Sequence, residues 1–214
     1  MLILFFMPFI VFSQMSNQID DNGNKQGHWV KYHDNGKIRY KGQFKDNKPQ
    51  AIFYYYYDTG ELKIEKEFFH DGKAAATHFF YKNGSLQSSG IYVDKLKDST
   101  WNYYSVDSIL VMSEQYKQGK LNGTTKTFYY DGSLYEIKYW ENDSLHGTWK
   151  QFFTDGTLKM VSSYEKNLRH GQETHYYPNG QVYSQGLYIQ DSKKEVWQFF
   201  NKEGVLDTTI NYNE

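Results

Sequence analysis

The sequence has no cysteine and only 3 prolines among 214 residues, and its 24 basic side chains nearly balance 25 acidic ones. The lack of cysteine excludes disulfide bonds and thiolate metal sites. The balanced charge argues against a general binder of nucleic acids or of anionic membranes, because such proteins need a basic excess. No nucleic-acid partner is therefore expected.

Aromatic side chains, in contrast, are abundant. They make up 19% of the chain, with 21 Tyr and 15 Phe, although the mean hydropathy is only -0.80. The apolar content therefore lies in large, half-polar rings rather than in aliphatic runs. This composition favours an exposed or half-buried β-sheet over a thick buried core.

The N-terminus carries an apolar segment over residues 2–12, followed by Ser13 and a strongly polar stretch. The segment is shorter than the about 20 residues that span a bilayer, but it fits the hydrophobic region of a secretory signal with a small residue at the cleavage position. No Lys or Arg precedes it, so Met1 is open to question as the true start, and a buried first strand is the alternative. We predict a signal peptide over 1–13, a polar lead-in over 14–26, and a secreted, periplasmic or cell-envelope location.

The rest of the chain repeats with a period of 24 residues. Two residues after each turn glycine comes an aliphatic residue, and aromatic residues lie eight positions after it and four before it. Ser108 stands in the one gap of the glycine register. Such self-similarity is the signature of a repeat protein, and it predicts seven whole units and a nearly complete eighth over residues 27–214. The turn glycines are Gly36, Gly60, Gly84, Gly132, Gly156, Gly180 and Gly204.

Each unit is predicted to be a β-hairpin. Its turn contains pairs such as Asn-Gly and Asp-Gly, which tolerate a positive φ, and the flanking segments are rich in the Tyr, Phe, Thr, Trp and Ile typical of strands. A second turn closes each unit, and a small residue usually opens it, with Glu195 as the exception. The predicted fold is all-β: tandem hairpins that continue as an elongated antiparallel meander, an open, solenoid-like single sheet. The last strand is expected to leave an open edge.

Four motifs of the repeat can be compared with known families. They are Leu145-His146-Gly147-Thr148-Trp149, Leu168-Arg169-His170-Gly171-Gln172, Gly27-His28-Trp29 and Tyr129-Tyr130-Asp131-Gly132-Ser133-Leu134. These motifs resemble those of the MORN-repeat variant family, which includes YwqK-type antitoxins. The resemblance implies tandem β-hairpins and a role as a scaffold that binds proteins. It also implies membrane-lipid binding for some relatives and, through the antitoxin label, a toxin partner.

The tryptophans are the sharpest candidates for a binding surface. Four of them share one repeat position, where they could form aromatic platforms for sugars, a cationic ligand or a partner chain. The alternative is a structural role, in which each ring packs on the next hairpin. Two histidines also share a repeat position. The candidate binding surface is therefore Trp29, Trp101, Trp149, Trp197, His146 and His170.

No catalytic or metal-binding motif is evident in the sequence. Equivalent histidines lie two strands apart, about 10 Å, whereas zinc ligands must lie about 2.1 Å from one metal ion. Acid pairs such as Glu65 with Glu67 lie on a solvated strand face, where nothing shifts one pKa against the other. A Ser-His-Asp set needs only proximity in space, so the sequence alone leaves it open. We predict a protein that is not an enzyme and that has no cofactor and no metal.

These observations predict a secreted or envelope repeat protein that is a scaffold for an unidentified protein partner, along its sheet or through its open edge. One alternative is a glycan- or choline-type cell-wall binding module, because such modules also combine Gly-Trp and Tyr-Tyr with turn glycines. Another is an antitoxin-like binder of a toxin. Binding to membrane lipid has no support from the charge.

Overall fold

The structure, a computed structural model, describes residues 16–213 and shows one antiparallel β-sheet of 19 strands. The predicted signal peptide over 1–13 lies outside the described residues. Within 16–213 there is no helix that could cross a membrane. The strands are β1 (Gln18–Ile19), β2 (Lys25–Tyr32), β3 (Ile38–Lys45), β4 (Lys48–Tyr56), β5 (Leu62–Phe69), β6 (Ala74–Phe80), β7 (Leu86–Val93), β8 (Leu96–Tyr104), β9 (Leu110–Lys117), β10 (Lys120–Phe128), β11 (Leu134–Glu141), β12 (Ser144–Leu145), β13 (Gly147–Phe152), β14 (Leu158–Glu165), β15 (Leu168–Arg169), β16 (Gly171–Tyr176), β17 (Val182–Ile189), β18 (Ser192–Phe200) and β19 (Leu206–Asn211).

Strands that follow one another along the chain pair side by side. Two strands are interrupted: β12 and β13 both pair with β11, and β15 and β16 both pair with β14. The interruptions fall at His146 and His170. Counted without these breaks and without β1, the strands form eight successive hairpins in one open sheet. The predicted all-β fold is confirmed.

The sheet begins earlier than the repeat pattern indicated. The short strand β1 pairs with β2, with Gln18 opposite Gln26 and Ile19 opposite Lys25. It lies in the segment 14–26, which the sequence identified only as a polar lead-in. The domain boundaries at 13 and 26 stay predictions.

Two kinds of turn alternate along the sheet. The first contains the repeat glycine: the N–H of Gly132 donates to the carbonyl of Tyr129, and the N–H of Tyr129 donates to the carbonyl of Ser133. Ser108, in the gap of the glycine register, has a φ of 65° and takes the same left-handed conformation. In the first unit the second turn has two consecutive residues at positive φ, Asp46 and Asn47, as a type I′ hairpin requires. In the second unit it is a four-residue loop over 70–73, with three residues at positive φ.

In six of the eight units the opening residue lies at an irregularity of the strand pairing. Between β3 and β4 the register shifts close to Ala51, where φ is 54°. The φ is 60° at Ser99 and 57° at Glu195. The position therefore requires a left-handed backbone rather than a small side chain, which explains both the frequent glycine and the tolerance of glutamate. Ala75 is the opening residue outside the positive-φ group, and it is buried.

One face of the sheet, the inner face, holds the core, and two rows of residues follow it at the repeat spacing. The tryptophan row includes the largest fully buried rings, and the glycine row lies on the neighbouring strands. The opposite, outer face is exposed or half-buried; along β3 its exposed residues alternate with the half-buried residues of the inner face. The tryptophan row comprises Trp29, Phe53, Thr77, Trp101, Thr125, Trp149, Glu173 and Trp197, and the glycine row comprises Gly42, Lys66, Gly90, Glu114, Lys138, Ser162, Gly186 and Ile210.

Candidate functional site

Three rings of the tryptophan row lie directly on glycine backbone. A Cβ added at these glycines would come within 2.3 to 2.5 Å of the ring that follows, a distance that no side chain allows. Each ring therefore packs on the glycine of the preceding hairpin. The pairs are Gly42 with Phe53, Gly90 with Trp101 and Gly186 with Trp197.

The two rows compensate each other in volume. Where the glycine row has a larger side chain, the tryptophan-row residue that follows 11 positions later is a smaller or polar one, with one exception. That exception is Lys138, which is followed by Trp149. The compensating pairs are Lys66 with Thr77, Glu114 with Thr125 and Ser162 with Glu173.

The buried tryptophans are covered by lysines. Lys97 Nζ lies 4.8 Å from the ring centroid of Trp101 and 4.8 Å from that of Tyr116. An ammonium group over aromatic faces is stabilised by the ring quadrupole. The sequence suggested a cage for a cationic ligand, but these rings already hold a cation of the chain itself. The same arrangement recurs with Lys25 on Trp29 and Phe44, and with Lys193 on Trp197 and Tyr212.

Three of the four predicted tryptophans are inaccessible. Trp29, Trp101 and Trp197 are 5%, 1% and 2% exposed. Their indole N–H groups donate to backbone carbonyls at 3.1, 3.1 and 3.3 Å. Because both the ring faces and the polar atom already have partners, these rings offer no platform to a ligand in this conformation. Their surroundings match the structural alternative, in which each ring packs on a neighbouring hairpin.

Trp149 differs from Trp101 and Trp197 because the glycine-row residue 11 positions before it is Lys138, not glycine. The ammonium of Lys138 is 4.7 Å from the ring centroid, and the ring is half-buried. Its indole N–H donates to Glu136 Oε2 at 3.0 Å. Of the four predicted tryptophans, Trp149 is thus the accessible one.

The partner of Trp149 is a buried carboxylate that the sequence reasoning missed. Glu136 is 7% exposed, and its Oε1 accepts from Lys138 Nζ at 2.7 Å and from Thr127 Oγ1 at 3.3 Å. The sequence did contain a signal for it: the equivalent residues of the two neighbouring repeats are methionines, which marks the position of Glu136 as one that faces the core. The ion pair and the indole bond satisfy the carboxylate, so it has no free lone pair directed at a substrate.

His146 and His170 are exposed and lie at the two strand interruptions. Their backbone N–H groups donate to the carbonyls of Tyr139 and Ser163 at 2.9 and 2.8 Å. His146 also borders a shallow pocket of about 340 Å³, with Tyr139 and Trp140. Residues 16–213 contain no cluster of three or more His, Asp or Glu that could hold a metal ion.

One group of residues has the composition of a hydrolase triad. Ser162 Oγ donates to Glu173 Oε2 at 2.8 Å, and His175 Nε2 lies 2.9 Å from Glu173 Oε1. The carboxylate stands between the hydroxyl and the imidazole, whereas a nucleophile must contact the base directly. Ser162 is also only 1% exposed. Burial opposes ionisation of Glu173, but the hydrogen bonds from His175 and Ser162 outweigh it and hold the pKa of Glu173 below its ordinary value.

A second polar cluster lies in the fourth unit, around Lys97. Lys97 Nζ donates to the hydroxyl of Tyr103 at 2.6 Å, and the hydroxyl of Tyr116 donates to Glu114 Oε2 at 2.8 Å. Burial, with the nearby Glu114 carboxylate, raises the pKa of Tyr116 to about 12 and also raises the pKa of Tyr103. Burial lowers the pKa of Lys97. The cluster keeps both hydroxyls protonated, which is a structural arrangement rather than an acid–base pair.

The outer face carries a groove across the first two hairpins. It has a volume of about 480 Å³ and is walled by His28, Val30, Lys41, Ile52 and Tyr54. Lys41 Nζ lies 5.4 Å from the centroid of the Tyr54 ring, and Ile52 is 36% exposed. No local motif in the sequence indicates these residues, because a shallow groove across three strands depends on the pairing register.

The fold and the filled inner face define a β-hairpin repeat protein. Four segments match the family model described as MORN repeat variant, at residues 25–46, 121–142, 145–166 and 169–190. These four segments share the 24-residue register of the sheet, and they confirm the resemblance to the MORN repeat variant family. The second, third, fourth and eighth units form the same hairpins.

No curated protein matches the chain. Among solved structures, the chain is similar to part of a Photorhabdus luminescens Tc holotoxin pore, with 14% identity and a TM-score of 0.21. The match covers 84% of this chain and 13% of that chain. A likeness at this level carries no argument about fold or function.

Proposed function

We propose that this protein is a non-enzymatic scaffold that binds another protein on the outer face of its sheet. The observation that carries the proposal is the contrast between the two faces. The inner face is filled by the chain's own rings, lysines and paired carboxylates, whereas the outer face is exposed or half-buried and changes from repeat to repeat. The outer row that contains Lys41 continues as Glu65, Ser89, Ser113, Ile137, Val161, Gln185 and Thr209.

A constant backbone with variable surface residues is how repeat proteins build extended binding surfaces. The MORN variant repeats support a repeat protein of this binding kind. The absence of enzymatic activity is part of the proposal: the inner-face carboxylates Glu136 and Glu173 are satisfied by hydrogen bonds, and Ser162 donates to Glu173 rather than to an imidazole.

The experiment is an affinity capture with the tagged chain as bait, in an envelope extract of the source cells. We expect one specific protein to be retained. A matched bait that carries Trp101→Phe should retain the same protein, because the change is confined to the inner face. Recovery of no specific protein by the unchanged bait would contradict the proposal.

The glycan- or choline-type alternative has one observation in its favour, the half-buried ring of Trp149. The lysines over Trp29, Trp101 and Trp197 argue against it at the other units. Glycan-array binding that is abolished by Trp149→Ala, with an unchanged circular-dichroism spectrum, would establish this alternative instead.

A secreted or envelope location is the second part of the proposal, and it rests on the apolar segment over residues 2–12. We expect the protein recovered from cells to begin at Gln14, as the signal cleavage after Ser13 requires. Mass spectrometry of the intact protein measures this directly. A chain that retains Met1 and fractionates with the cytoplasm would contradict secretion and would favour the antitoxin-like alternative.

A further inference from the structure

The outer face of β3 presents a row of basic side chains. Arg39, Lys41 and Lys45 point outward together with Gln43, and all four are exposed. The first hairpin as a whole, residues 27–50, has six basic and two acidic side chains, in a protein whose net charge is -1. Positive charge is therefore concentrated in the first hairpin, and three of its six basic side chains lie on β3.

Within the part of the chain that the structure describes, the positive charge on β3 has no ionic partner. The salt bridges within residues 16–213 involve other groups, and none includes Arg39, Lys41 or Lys45. Lys41 Nζ lies instead over the rings of Tyr54 and Tyr56, at 5.4 and 5.7 Å. Its ammonium is thereby held beside the groove of the first two hairpins.

The groove adds apolar and polar walls to the basic row. Val30 and Ile52 supply the apolar surface. His28 and Gln43, whose side-chain nitrogens are 3.4 Å apart, supply hydrogen-bonding groups. A ligand that fits must carry negative charge along one line and an apolar group beside it.

The outward-facing residues of the next two strands, β4 and β5, limit how wide that ligand can be. Tyr54 pairs with Lys41 on one side and with Glu65 on the other, so Glu65 lies about 10 Å from the basic row. Glu67 is adjacent on the same strand face. A membrane surface or a nucleic-acid duplex would cover both rows and meet these carboxylates, whereas a single extended chain fits the basic row alone.

We propose that this groove binds an extended acidic segment of a partner protein, aligned along β3. Acidic residues at every second position of such a segment are about 6.6 Å apart, which matches the spacing of Arg39, Lys41 and their neighbours. An apolar side chain of the segment would rest between Val30 and Ile52. This inference rests on the proposed protein-binding function and names the site and the partner's chemistry.

The test is fluorescence anisotropy with the full chain and a short labelled peptide that has glutamate at alternate positions and leucine between two of them. The control peptide has the same composition with its glutamates consecutive. We expect Lys41→Glu to weaken binding of the alternating peptide at least about tenfold, as reversal of a contact charge does. Added salt should weaken it in the unchanged chain.

Lys159→Glu is the matched control, because it makes the same charge change at an exposed outer-face position of the sixth unit. It should bind the alternating peptide like the unchanged chain. Circular dichroism and thermal unfolding show whether either variant is folded; if Lys41→Glu does not fold, Lys41→Gln replaces it. Equal loss in both variants, no binding of the alternating peptide, or equal binding of both peptides overturns the inference.

Single-stranded DNA and vesicles of anionic lipid serve as competing probes. If either binds with a Lys41-dependent affinity and the peptide does not, the site recognises another polyanion and the inference is wrong. Affinity capture separates this failure from failure of the scaffold function. A specific protein retained equally by the unchanged bait and by Lys41→Glu leaves the scaffold standing and rejects this groove.

Discussion

The left-handed backbone of the opening position makes two equivalent alanines respond in opposite ways to one substitution. Ala51 has a φ of 54°, so Ala51→Gly should raise the free energy of unfolding by about 0.5–1 kcal/mol through relief of backbone strain. Ala75 lies outside the positive-φ group and is 3% exposed. Ala75→Gly should lower the free energy of unfolding by about 1–2 kcal/mol, from backbone entropy and a lost buried methyl.

Urea unfolding followed by circular dichroism measures both alanine variants. The comparison is internal, because the substitution and the repeat position are the same. If both variants lose stability by a similar amount, the opening position selects for side-chain size and not for φ.

The close packing of rings on the glycine row predicts that a side chain added at one of its glycines lowers stability. Gly90→Ala should lower the free energy of unfolding by about 3 kcal/mol, because the new Cβ would lie 2.3 Å from the Trp101 ring and overpacking is costly. The double variant Gly90→Ala/Trp101→Thr imitates the native pair Lys66 and Thr77, in which a residue larger than glycine is followed by a threonine. It should be more stable than the sum of its single variants indicates, as a double-mutant cycle measures. Strict additivity would contradict the volume compensation between the rows.

Part of this residue-level structure could be predicted from the sequence, and part could not. The period, the turns and the alternating faces were predictable because glycine at positive φ and alternation along a strand are local properties. The burial of Trp29, Trp101 and Trp197 depends on which strand lies beside each ring. The spacing of 11 residues between glycine and ring is visible in the sequence, but it gains meaning only once the register is known.

At the scale of the element, tyrosine hydroxyls join successive hairpins. The hydroxyl of Tyr129 donates to the carbonyl of Phe152, 23 residues later, at 2.9 Å. Three other tyrosines, Tyr57, Tyr81 and Tyr177, make the equivalent bond. The two residues of an adjacent aromatic pair thus have different roles, which the sequence pattern alone did not reveal. The second residue of such a pair links the first turn of its own unit to the following unit by a hydrogen bond.

This hydrogen bond predicts opposite changes of stability when the hydroxyl is removed from one unit and added to the next. Tyr129→Phe should lower the free energy of unfolding by about 1 kcal/mol, the net value of a hydrogen bond. Phe153, the equivalent residue of the next unit, lacks the hydroxyl, and Phe153→Tyr should raise stability by about 0.5–1 kcal/mol. Thermal and urea unfolding test the pair. Two variants that both leave the midpoint unchanged would show that the hydroxyl bond exchanges evenly with water.

The fourth hairpin predicts a loss of stability in alkali. Burial raises the pKa of Tyr103, and it raises the pKa of Tyr116 to about 12, whereas an unfolded tyrosine ionises near pH 10. A pKa raised in the folded state contributes stability that is fully present below pH about 10. That contribution is lost as the pH rises toward the folded value.

Urea unfolding between pH 9 and about pH 12 should therefore show falling stability, and Tyr116→Phe should make the dependence shallower. Tyr32→Phe is a control for a general tyrosine effect, because Tyr32 is 59% exposed. An equal change in slope for both variants would indicate that the exposed tyrosines, not the half-buried Tyr103 and Tyr116, govern the alkaline limit.

At the scale of the whole molecule, contacts between hairpins are made mainly by consecutive strands. Stability should then accumulate along the array, and a complete period should be removable. Deletion of residues 157–180 joins Gly156 to Gln181 and keeps every inter-unit pairing of the glycine and tryptophan rows. It also removes Ser162, Glu173 and His175 together. We expect a folded protein with a cooperative thermal transition and an undiminished β signal per residue.

A second deletion of the same length shows whether register alone is enough. Removal of residues 167–190 keeps the turn chemistry, since it joins Lys166 to Asp191, but it places Ser162 where Gly186 lay beneath Trp197. A Cβ at that point lies 2.3 Å from the ring, so this variant should be less stable than the 157–180 deletion by about 1–3 kcal/mol. Collapse of the circular-dichroism signal in the 157–180 deletion would contradict a modular array. Equal stability of the two deletions would show instead that the glycine row is dispensable and that strand pairing carries the fold.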